Sequence, residues 1–501
     1  MKFLTLIATT LSFLFLFNVK AFAQDFLITK YGAKPDTTIL NTVSINKAIQ
    51  TCHAAGGGRV VIPRGTFKSG TITMLDNVHL YFEHGATLLG SEDYRDFPAQ
   101  KLADYRFMRD ERGLYSLIYA EGASNIAITG HGTIDGNGEH QVRDPLNLGN
   151  GADRRSKNLL FISCRNIRVE GITFLASATW NQHYLNCEDV IIDRVTVYNH
   201  VNRNNDAVDI DGSRRVVISN SIFDTDDDGI TLKSTGSAPT EDVSISNCIV
   251  SSFCNAIKAG TESYGGFRNI SISNCVIKPS RSKSKPFFDV PRIGITGISL
   301  EIVDGGVMEG VTISNVSIEG TSCPLYIRLG NRARKYTEGA DIQDPGTLRN
   351  VMISNLTAYN TGNFTSSITG IPGHYVENIS LSNVQFHNTG GLKTGDYLAS
   401  FADVKEEEKS YPQPTVWGNL PASGLFIRHA RNIQVNGLVL SSAKPDPRVP
   451  VIAVDTDGLL IKNIIKRDET AAASFFSGEG VTNYEVDKPL GWQKKVVELN
   501  P

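Results

Sequence analysis

Short stretches of alternating apolar and polar residues recur along most of this chain. One copy reads Asn-Ile-Arg-Val-Glu-Gly-Ile-Thr-Phe from Asn166, and another reads Asn-Ile-Ser-Ile-Ser-Asn-Cys-Val-Ile from Asn269. A period of two predicts a β-strand with one buried face. In the middle of the chain the copies follow one another about every 23 to 28 residues. Copies begin at Asn166, Asp189, Arg215, Asp242, Asn269, Gly310, Asn350, Asn378 and Asn432.

One short strand cannot bury its own apolar face, so each copy must stack on the next and form a continuous cylinder. The repeat therefore predicts an all-β fold, a single-stranded right-handed parallel β-helix. A leucine-rich repeat would need fixed leucines and a helix in each copy, and a propeller would need longer blades with antiparallel hairpins. Long gaps between copies predict inserted loops at 279–291, 331–348 and 392–421.

Both ends of the cylinder need a cover. The run from Asn41 to Ala55 has helical spacing and ends at three glycines, so it predicts an N-terminal capping helix. The apolar residues of its predicted inner face are Val43, Ile45, Ala48 and Ile49. After about Lys466 the repeat fades, and residues 467–501 are predicted to form a C-terminal capping tail.

The first 23 residues combine a basic start, an apolar run from Leu4 to Phe17 and small residues at Ala21 and Ala23. This arrangement is typical of a cleavable signal peptide, and the run is short for a membrane span. We expect a periplasmic or secreted protein whose catalytic β-helix comprises residues 24–466.

Composition narrows the possible partners. The net charge is −3 and the charges are spread along the chain, which favours neither a nucleic-acid nor a membrane partner. The seven cysteines include no CxxC pair and no zinc-finger spacing, so most are expected to be buried and structural. We expect no cofactor and no metal.

When the second strands of successive coils are aligned, their apolar positions coincide. The inward columns are Val208, Ile230, Ile257, Ile298 and Leu325, and Ile210, Leu232, Ala259, Leu300 and Ile327. The alternate residues then face outward and are expected to face solvent. These outward columns are Asp206, Asp228, Asn255, Thr296 and Cys323, then Asp209, Thr231, Lys258, Ser299 and Tyr326, then Asp211, Lys233, Gly260, Glu301 and Arg328.

Adjacent coils lie about 4.8 Å apart, so Asp206 and Asp228 become neighbours with Asp227 beside them. Carboxylates this close repel one another, and the repulsion raises the proton affinity of at least one of them. A protonated carboxyl, the acid, can then coexist with an ionised carboxylate, the base. Glycoside cleavage needs such a pair. Lys233, Lys258 and Arg328 are candidate ligands for an acidic sugar.

Other functions of the aspartate cluster stay open. Asp209, Asp211, Asp224 and Asp226 add oxygens that suit calcium or metal-assisted lyase chemistry, although neither aspartate run has the spacing of an EF-hand. A binding or adhesion β-helix is a third possibility, but a binding surface has no reason to crowd three anions. A hydrolase releases reducing ends, whereas a lyase releases an unsaturated product.

The motifs resemble glycoside hydrolase family 28, the polygalacturonase and rhamnogalacturonan hydrolase family. Asn-Asn-Asp from Asn204 is similar to its Asn-Thr-Asp motif, and Asp-Asp-Gly from Asp227 is similar to its Asp-Asp motif. The resemblance covers about residues 31–465. It implies an inverting hydrolase of an acidic, pectin-type polysaccharide, with Asp227 as general acid and with Asp206 and Asp228 positioning and activating water.

Two motifs of that family do not match this chain. Asn255 stands where the family has His-Gly, and Ser299-Leu300-Glu301 stands where it has Arg-Ile-Lys for the substrate carboxylate. Lys258 or Arg328 can replace the missing cations, whereas Glu301 suggests that one subsite takes a sugar other than galacturonate.

Several other residues have either a functional or a structural interpretation. His183 and Asn204 are candidate substrate-binding residues, although His183 fits a packed surface histidine equally well. Arg332 and Arg334 are expected to lie in a solvated loop. Asn220, Asn247 and Asn274 are expected to form a structural ladder of stacked amides.

Overall fold

The computed structural model describes residues 25–100, 104–108, 114–141, 154–280, 294–341, 345–467 and 472–500. Within these residues the chain winds as a β-helix in which 35 strands pair in parallel with strands of neighbouring coils. Three columns of strands run along the cylinder. The predicted signal peptide lies outside the described residues.

The first column carries the candidate site and is called the site sheet. Its own strands are β4 (Ile72–Thr73), β7 (Ser116–Glu121), β10 (Lys157–Ile162), β13 (Gln182–Leu185), β16 (Val208–Asp211), β19 (Ile230–Ser234), β22 (Asn255–Ser263), β25 (Gly294–Ile302), β27 (Thr321–Leu329), β29 (Ser366–Thr369) and β35 (Lys495–Asn500).

The second and third columns complete each coil. The second contains β1 (Asp25–Leu27), β2 (Gly58–Ile62), β5 (Val78–Phe82), β8 (Ser124–Gly130), β11 (Arg165–Glu170), β14 (Glu188–Asp193), β17 (Arg214–Ser219), β20 (Thr240–Ser246) and β23 (Phe267–Ser273). The third contains β3 (Gly65–Ser69), β6 (Ala86–Gly90), β9 (Thr133–Asp135), β12 (Thr173–Leu175), β15 (Thr196–Asn199), β18 (Ile222–Thr225), β21 (Ile249–Ser252), β24 (Val276–Lys278) and β33 (Ile465–Lys466).

Longer strands pass from one column into the next in the C-terminal half. They are β26 (Val307–Glu319), β28 (Thr347–Thr361), β30 (Val376–Asn388), β31 (Ala422–Ser442), β32 (Val449–Lys462) and β34 (Ser474–Val486). β34 pairs with β32, and β35 pairs with β34. Parallel stacking therefore continues past residue 466, where the sequence pattern had faded.

The core is one continuous apolar column inside the cylinder. Alternation within each strand places its apolar side chains inward, as Val208, Ile230 and Ile257 show in successive site-sheet strands. The predicted parallel β-helix is thereby confirmed. All seven cysteines are buried, in agreement with a structural role.

The N-terminal helix α1 (Thr42–Ala54) lies where it was predicted. It buries Ile45, Ala48, Ile49 and Cys52 and contacts β1, β2 and β4. Val43 was expected on this face but is 80% exposed, because about 3.6 residues per turn place it on the side of the helix opposite Ile45 and Ala48. The remaining described helices are 3-10 turns at Ile28–Tyr31, Tyr94–Asp96, Gly138–His140, Phe401–Asp403 and Pro414–Val416. Among the described residues, no helix has the length and apolar content of a membrane span.

The predicted asparagine ladder is present at the coil turns. Asn247 Nδ2 donates to Asn220 Oδ1 (3.2 Å), and Asn315 Nδ2 donates to Asn274 Oδ1 (3.1 Å). The φ angles of Asn220, Asn247 and Asn274 lie between 53° and 55°, in the left-handed region that asparagine tolerates. These residues shape the turns, as expected.

Candidate active site

The outward columns have the register that the alternation predicts. Asp209 pairs with Thr231, Thr231 with Lys258, Lys258 with Ser299 and Ser299 with Tyr326. One difference arises after Leu232, where a bulge makes Ser234 pair with Ser263. Gly260 therefore does not lie opposite Lys233.

The outward side chains do not face open solvent, which corrects the expectation from the pattern. Asp209, Lys258, Glu301 and Tyr326 are all at most 2% exposed. Inserted segments pack over this part of the cylinder: Tyr411 contacts Lys258, for example, and the ring of Trp417 lies 6.1 Å from that of Tyr326. The predicted columns therefore line a covered, low-dielectric site.

Asp206, Asp227 and Asp228 lie together where two coils enter the site sheet. Ala207 N donates to Asp228 O (3.0 Å), which places Asp206 and Asp228 in neighbouring coils. Asp206 Oδ1 is buried and has no hydrogen-bond partner among the described residues. Asp227 is half-buried, and its Oδ1 accepts from Asp228 N (3.0 Å). The structure thus brings together the three predicted catalytic carboxyls.

Asp228 is held by the next coil. Its Oδ1 accepts from Asn255 N (3.1 Å) and Asn255 Nδ2 (2.6 Å), and its Oδ2 accepts from Lys258 Nζ (3.1 Å). Burial by itself raises the pKa of Asp228, but Lys258, Lys233 and the Asn255 hydrogen bond hold it below its ordinary value. Asp228 therefore stays ionised at acidic pH.

The pKa values of the two neighbouring carboxyls, Asp227 and Asp206, are raised instead. Burial and the charge of Asp228 raise the pKa of Asp227 to about 6. Burial and the charges of Asp209 and Asp227 raise the pKa of Asp206 well above its ordinary value. The cluster therefore combines a carboxylic acid with a carboxylate over a range of acidic pH, which is the arrangement that acid–base catalysis requires.

Asn204 lies at the edge of this cluster and is exposed. Its Nδ2 donates to Asp227 Oδ2 (3.4 Å), and its Oδ1 accepts from Arg155 Nη2 (3.1 Å). Arg155 also donates to the carbonyls of Ala178 (3.3 Å) and Arg203. Asn204 therefore contacts the predicted acid and is anchored by an arginine that the sequence motif did not include.

A second polar group lies toward the N-terminal coils. His183 is 1% exposed, which excludes the packed surface histidine. Its Nε2 lies 3.1 Å from Asp211 Oδ2, and its Nδ1 lies 2.7 Å from Lys157 Nζ. Burial and the charge of Lys157 lower the pKa of His183 to about 4, so the ring is neutral near neutral pH. A neutral ring can donate to Asp211 while accepting from Lys157.

Two ammonium groups flank the ring of Trp180, which is partly exposed. Lys157 Nζ lies 4.5 Å and Lys233 Nζ lies 4.6 Å from the ring centroid. Lys233 also lies 3.6 Å from Asp209 Oδ1 and 3.5 Å from Glu262 Oε2. Burial raises the pKa of Asp209 to about 7, and neither of its oxygens has a hydrogen-bond partner among the described residues.

The other predicted cations have different surroundings. Arg328 is 3% exposed and donates to Gly370 O (2.9 Å) and Glu406 O (2.6 Å), so protein carbonyls already engage it. Arg332 and Arg334 do not lie in a solvated loop as expected. Both pair with the buried carboxylate of Asp304, at 2.5 Å and 3.0 Å.

The aspartates considered as calcium ligands lie in separate hydrogen-bonded groups. Asp211 accepts from Thr235 N (2.8 Å) as well as facing His183, whereas Asp224 and Asp226 lie 3.0 Å and 2.7 Å from the ring nitrogens of His200. Among the described residues, Asp227, Asp228 and Cys254 offer candidate metal-ligand atoms within 4.8 Å of one another. Both oxygens of Asp228 in that group already accept protein hydrogen bonds.

Besides Arg155, sequence reasoning missed several other residues of the site. Lys157 begins the site-sheet strand one coil before His183, so its register was available as a signal. Cys254 immediately precedes Asn255 and was considered only as a buried thiol. Tyr411 belongs to an insertion, and no pattern indicated that its hydroxyl would lie 3.2 Å from Lys258 Nζ.

Comparisons with known proteins agree with this geometry. The model of glycosyl hydrolases family 28 matches residues 52–397. An exo-poly-alpha-D-galacturonosidase of Dickeya chrysanthemi is 32% identical over 248 residues, which are 40% of this chain and 41% of that protein. A probable polygalacturonase of Vitis vinifera is 24% identical over 418 residues, which are 80% of this chain and 82% of that protein.

A solved structure is also similar in fold. The family 28 exopolygalacturonase of Yersinia enterocolitica superposes with a TM-score of 0.65 at 21% identity, covering 89% of this chain and 79% of that one. Both the sequence and the structural similarity thus extend across the coils that carry the aspartate cluster.

Proposed function

The chain belongs to glycosyl hydrolases family 28 and is a glycoside hydrolase; we propose that its substrate is a uronic-acid-containing pectin chain, galacturonan or rhamnogalacturonan. We further propose that it is secreted and that it inverts the anomeric configuration. The observation that carries the proposal is the cluster of Asp206, Asp227 and Asp228. In it Asn255 and Lys258 hold Asp228 through three hydrogen bonds, while the pKa of the adjacent Asp227 is raised to about 6 by burial and the charge of Asp228.

In the proposed reaction Asp227 gives its proton to the glycosidic oxygen as the bond to the leaving sugar breaks. Asp228, which is ionised, draws a proton from water while Asp206 positions that water. The water oxygen then bonds to the anomeric carbon from the opposite face. Inverting enzymes commonly hold the acid and the base roughly 6.5–9.5 Å apart, to leave room for the water. An oxygen of Asp227 and an oxygen of Asp228 lie within 4.8 Å of each other, so the anomer that forms first is the measurement that decides the stereochemistry.

An acidic substrate is supported by the group around Trp180. Its partly exposed ring offers a stacking surface for a sugar, and the ammonium groups of Lys157 and Lys233 lie close to that ring. Ammonium groups beside an aromatic face can bind a sugar carboxylate through charge-assisted hydrogen bonds. We assign this group to recognition of a uronosyl residue.

The insertion at 392–421 supports action on short substrates or on chain ends. Its Tyr411 bonds to Lys258, and its Trp417 lies 5.1 Å from the guanidinium of Arg328. These contacts fix the insertion against the site sheet beside the acid cluster. A segment fixed there restricts one direction of the groove, as functional loops on rigid scaffolds commonly do.

The test is to incubate the protein with homogalacturonan, the rhamnogalacturonan backbone and oligomers of each. Chromatography identifies the products over time, and proton NMR identifies the anomer that forms first. We expect saturated products with inverted configuration, and early release of short products. An unsaturated product would indicate a lyase instead, and no cleavage of any of these substrates would contradict the proposed substrate class.

Two variants test the assignment of the acid. We expect Asp227→Asn to reduce kcat by about 10²–10⁴-fold, the usual contribution of a general acid. Asp341→Asn replaces an exposed carboxyl outside the site and is the matched control. Full activity of Asp227→Asn on the substrate that responds would show the mechanism to be wrong.

A further inference from the structure

The tip of the insertion that carries Tyr411 contacts residues that adjoin the proposed acid and base. Tyr411 Oη lies 3.2 Å from Lys258 Nζ, which in turn lies 3.1 Å from Asp228 Oδ2. Two residues farther along, Gln413 Nε2 donates to Cys254 Sγ (3.8 Å). The insertion is therefore connected to the base through Lys258, and it also contacts Cys254.

Cys254 is buried beside the acid. Its Sγ and one oxygen each of Asp227 and Asp228 lie within 4.8 Å of one another. The backbone fixes this arrangement, because Ser252 Oγ donates to Asp227 O (2.6 Å) and accepts from Cys254 N (2.8 Å). One hydroxyl thus ties the main chain of the acid to the main chain of the cysteine in the next coil.

The sulfur of Cys254 already accepts hydrogen bonds from two amides, Asn255 Nδ2 (3.6 Å) and Gln413 Nε2 (3.8 Å). A thiol has one hydrogen to donate and is a weak acceptor. Burial raises the pKa of Cys254 well above its ordinary value, so the thiol keeps that hydrogen at acidic and neutral pH. The hydrogen is therefore available to a neighbouring carboxylate.

Asp227 is the better acceptor of the two carboxyls near this thiol. Asp228 already receives three hydrogen bonds from the next coil. Asp227 receives one from the Asp228 backbone (3.0 Å) and a long one from Asn204 Nδ2 (3.4 Å). Burial raises the pKa of Asp227, and a hydrogen bond from Cys254 is among the interactions that lower it. The thiol therefore donates to Asp227.

We infer that Gln413 and Cys254 are positioning residues for the general acid: the amide of Gln413 holds the sulfur, and the thiol donates its hydrogen to the carboxyl of Asp227. A donor favours the ionised form of its acceptor, so the thiol assists the acid in releasing its proton. The insertion thereby contributes to the reaction as well as restricting the groove. This inference rests on the proposed function, because it assigns residues to the acid of that reaction.

The pH dependence of kcat/KM, measured on the substrate that responds, tests the role of the thiol. In Cys254→Ala the carboxyl of Asp227 loses a donor, so its pKa should rise and the basic limb of the profile should move up by about 0.5–1 pH unit. A weaker acid releases its proton less readily, so the maximal kcat should fall by about 3- to 10-fold. KM should change little, because the thiol contacts the acid and not the sugar.

Three further variants accompany Cys254→Ala. Cys254→Ser keeps a donor at the same position and should return the basic limb toward its wild-type pH. Gln413→Leu removes the amide that holds the sulfur and should move the limb in the same direction as Cys254→Ala, by a smaller amount. Cys52→Ala removes a buried thiol from the N-terminal helix and should leave the limb unchanged. A limb that stays in place in Cys254→Ala would overturn the inference, and one that moves there but not in Gln413→Leu would overturn the role of Gln413.

Infrared spectroscopy tests the hydrogen bond without catalysis. The difference between the spectra of wild-type protein and either Cys254 variant isolates the S–H stretching band of Cys254, and a stronger acceptor lowers the frequency of that band. As pH rises through about 6, the pKa of Asp227, the band should move to lower frequency. This movement should be lost in Asp227→Asn. A band that does not respond to pH, or that responds equally in Asp227→Asn, would overturn the inference.

The two measurements separate failure of the inference from failure of the proposed function. If no pectin-type substrate is cleaved but the band follows the ionisation of Asp227, the proposed function fails and the hydrogen bond from Cys254 stands. If cleavage occurs while the limb stays in place and the band does not respond, the inference alone fails. If there is neither cleavage nor a response of the band, both fail.

Discussion

Lys258 Nζ lies 3.1 Å from Asp228 Oδ2, although the two residues are 30 positions apart in neighbouring coils. This ion pair is buried, with side-chain exposures of 1% and 5%. It keeps Asp228 ionised beside Asp227, whose raised pKa favours the protonated form. The stacking of coils thus sets the protonation states on which the proposed reaction depends.

Removing the ammonium group of Lys258 should raise the pKa of Asp228, the proposed base. In Lys258→Met, Asp228 keeps its contacts with Asn255 but loses its nearest cation, so its pKa should rise. We expect the acidic limb of the kcat/KM profile to move to higher pH and activity to fall by about 10²-fold or more. Lys278→Met alters an exposed lysine and is the matched control. An unchanged acidic limb would show that Lys258 does not set the charge of Asp228.

The pH profile of the wild-type protein should be bell-shaped and acidic. Asp227 must be protonated to act, and with a pKa of about 6 it loses that proton as pH rises through this value. Asp228 must be ionised, and Lys258, Lys233 and Asn255 hold its pKa below its ordinary value, so the acidic limb lies on the acid side of the limb set by Asp227. Measurement of kcat/KM against pH checks both limbs. Constant activity up to about pH 8 would contradict the assignment of Asp227 as the acid.

Asp209 should make the fold less stable as pH rises. Its folded pKa of about 7 exceeds the ordinary 3.8, so between these values the folded state binds a proton that the unfolded state has lost. Its contribution to stability is therefore lost as pH rises through this window. We expect Asp209→Asn to reduce the difference in unfolding free energy between about pH 5 and about pH 7 by about 2 kcal/mol.

Urea unfolding at the two pH values measures this effect, with Asp341→Asn as an exposed control. If Asp209→Asn and wild-type protein show the same pH dependence, Asp209 does not titrate in this window. Activity measured in parallel shows whether Asp209 also contributes to the site.

The Asp304 cluster should be a major contributor to stability. Asp304 is 1% exposed and accepts hydrogen bonds from Arg332 Nε (2.9 Å) and Arg334 N (3.1 Å). Replacing it with alanine leaves two guanidinium groups without their shared carboxylate, and breaking a buried pair costs about 3–5 kcal/mol. We expect Asp304→Ala to lower the unfolding free energy by about that amount.

Glu309→Ala provides the comparison, because Glu309 pairs with Arg349 at the surface (2.9 Å), with side chains 33% and 44% exposed. An exposed pair contributes about 0–1 kcal/mol. Equal losses in the two variants, measured by urea unfolding, would contradict the importance given to burial of Asp304.

The sequence by itself determined the cylinder and the position of its central acids. Strict alternation leaves only one face of each strand suitable for the core, and the repeat length brings equivalent residues into register. Asp206 and Asp228 therefore had to meet, with Asp227 beside them. The same columns identified Lys258, Asn255 and Glu301 as neighbours of that cluster.

Only the tertiary structure decided the environment of these residues. The alternation shows which side chains point outward, but it does not show what covers them. The path of the insertion places Tyr411 on Lys258, and long-range contacts bring Arg332 and Arg334 to Asp304. The pKa values of Asp227 and Asp228 diverge because burial and surrounding charges act together over distances that a local pattern does not encode.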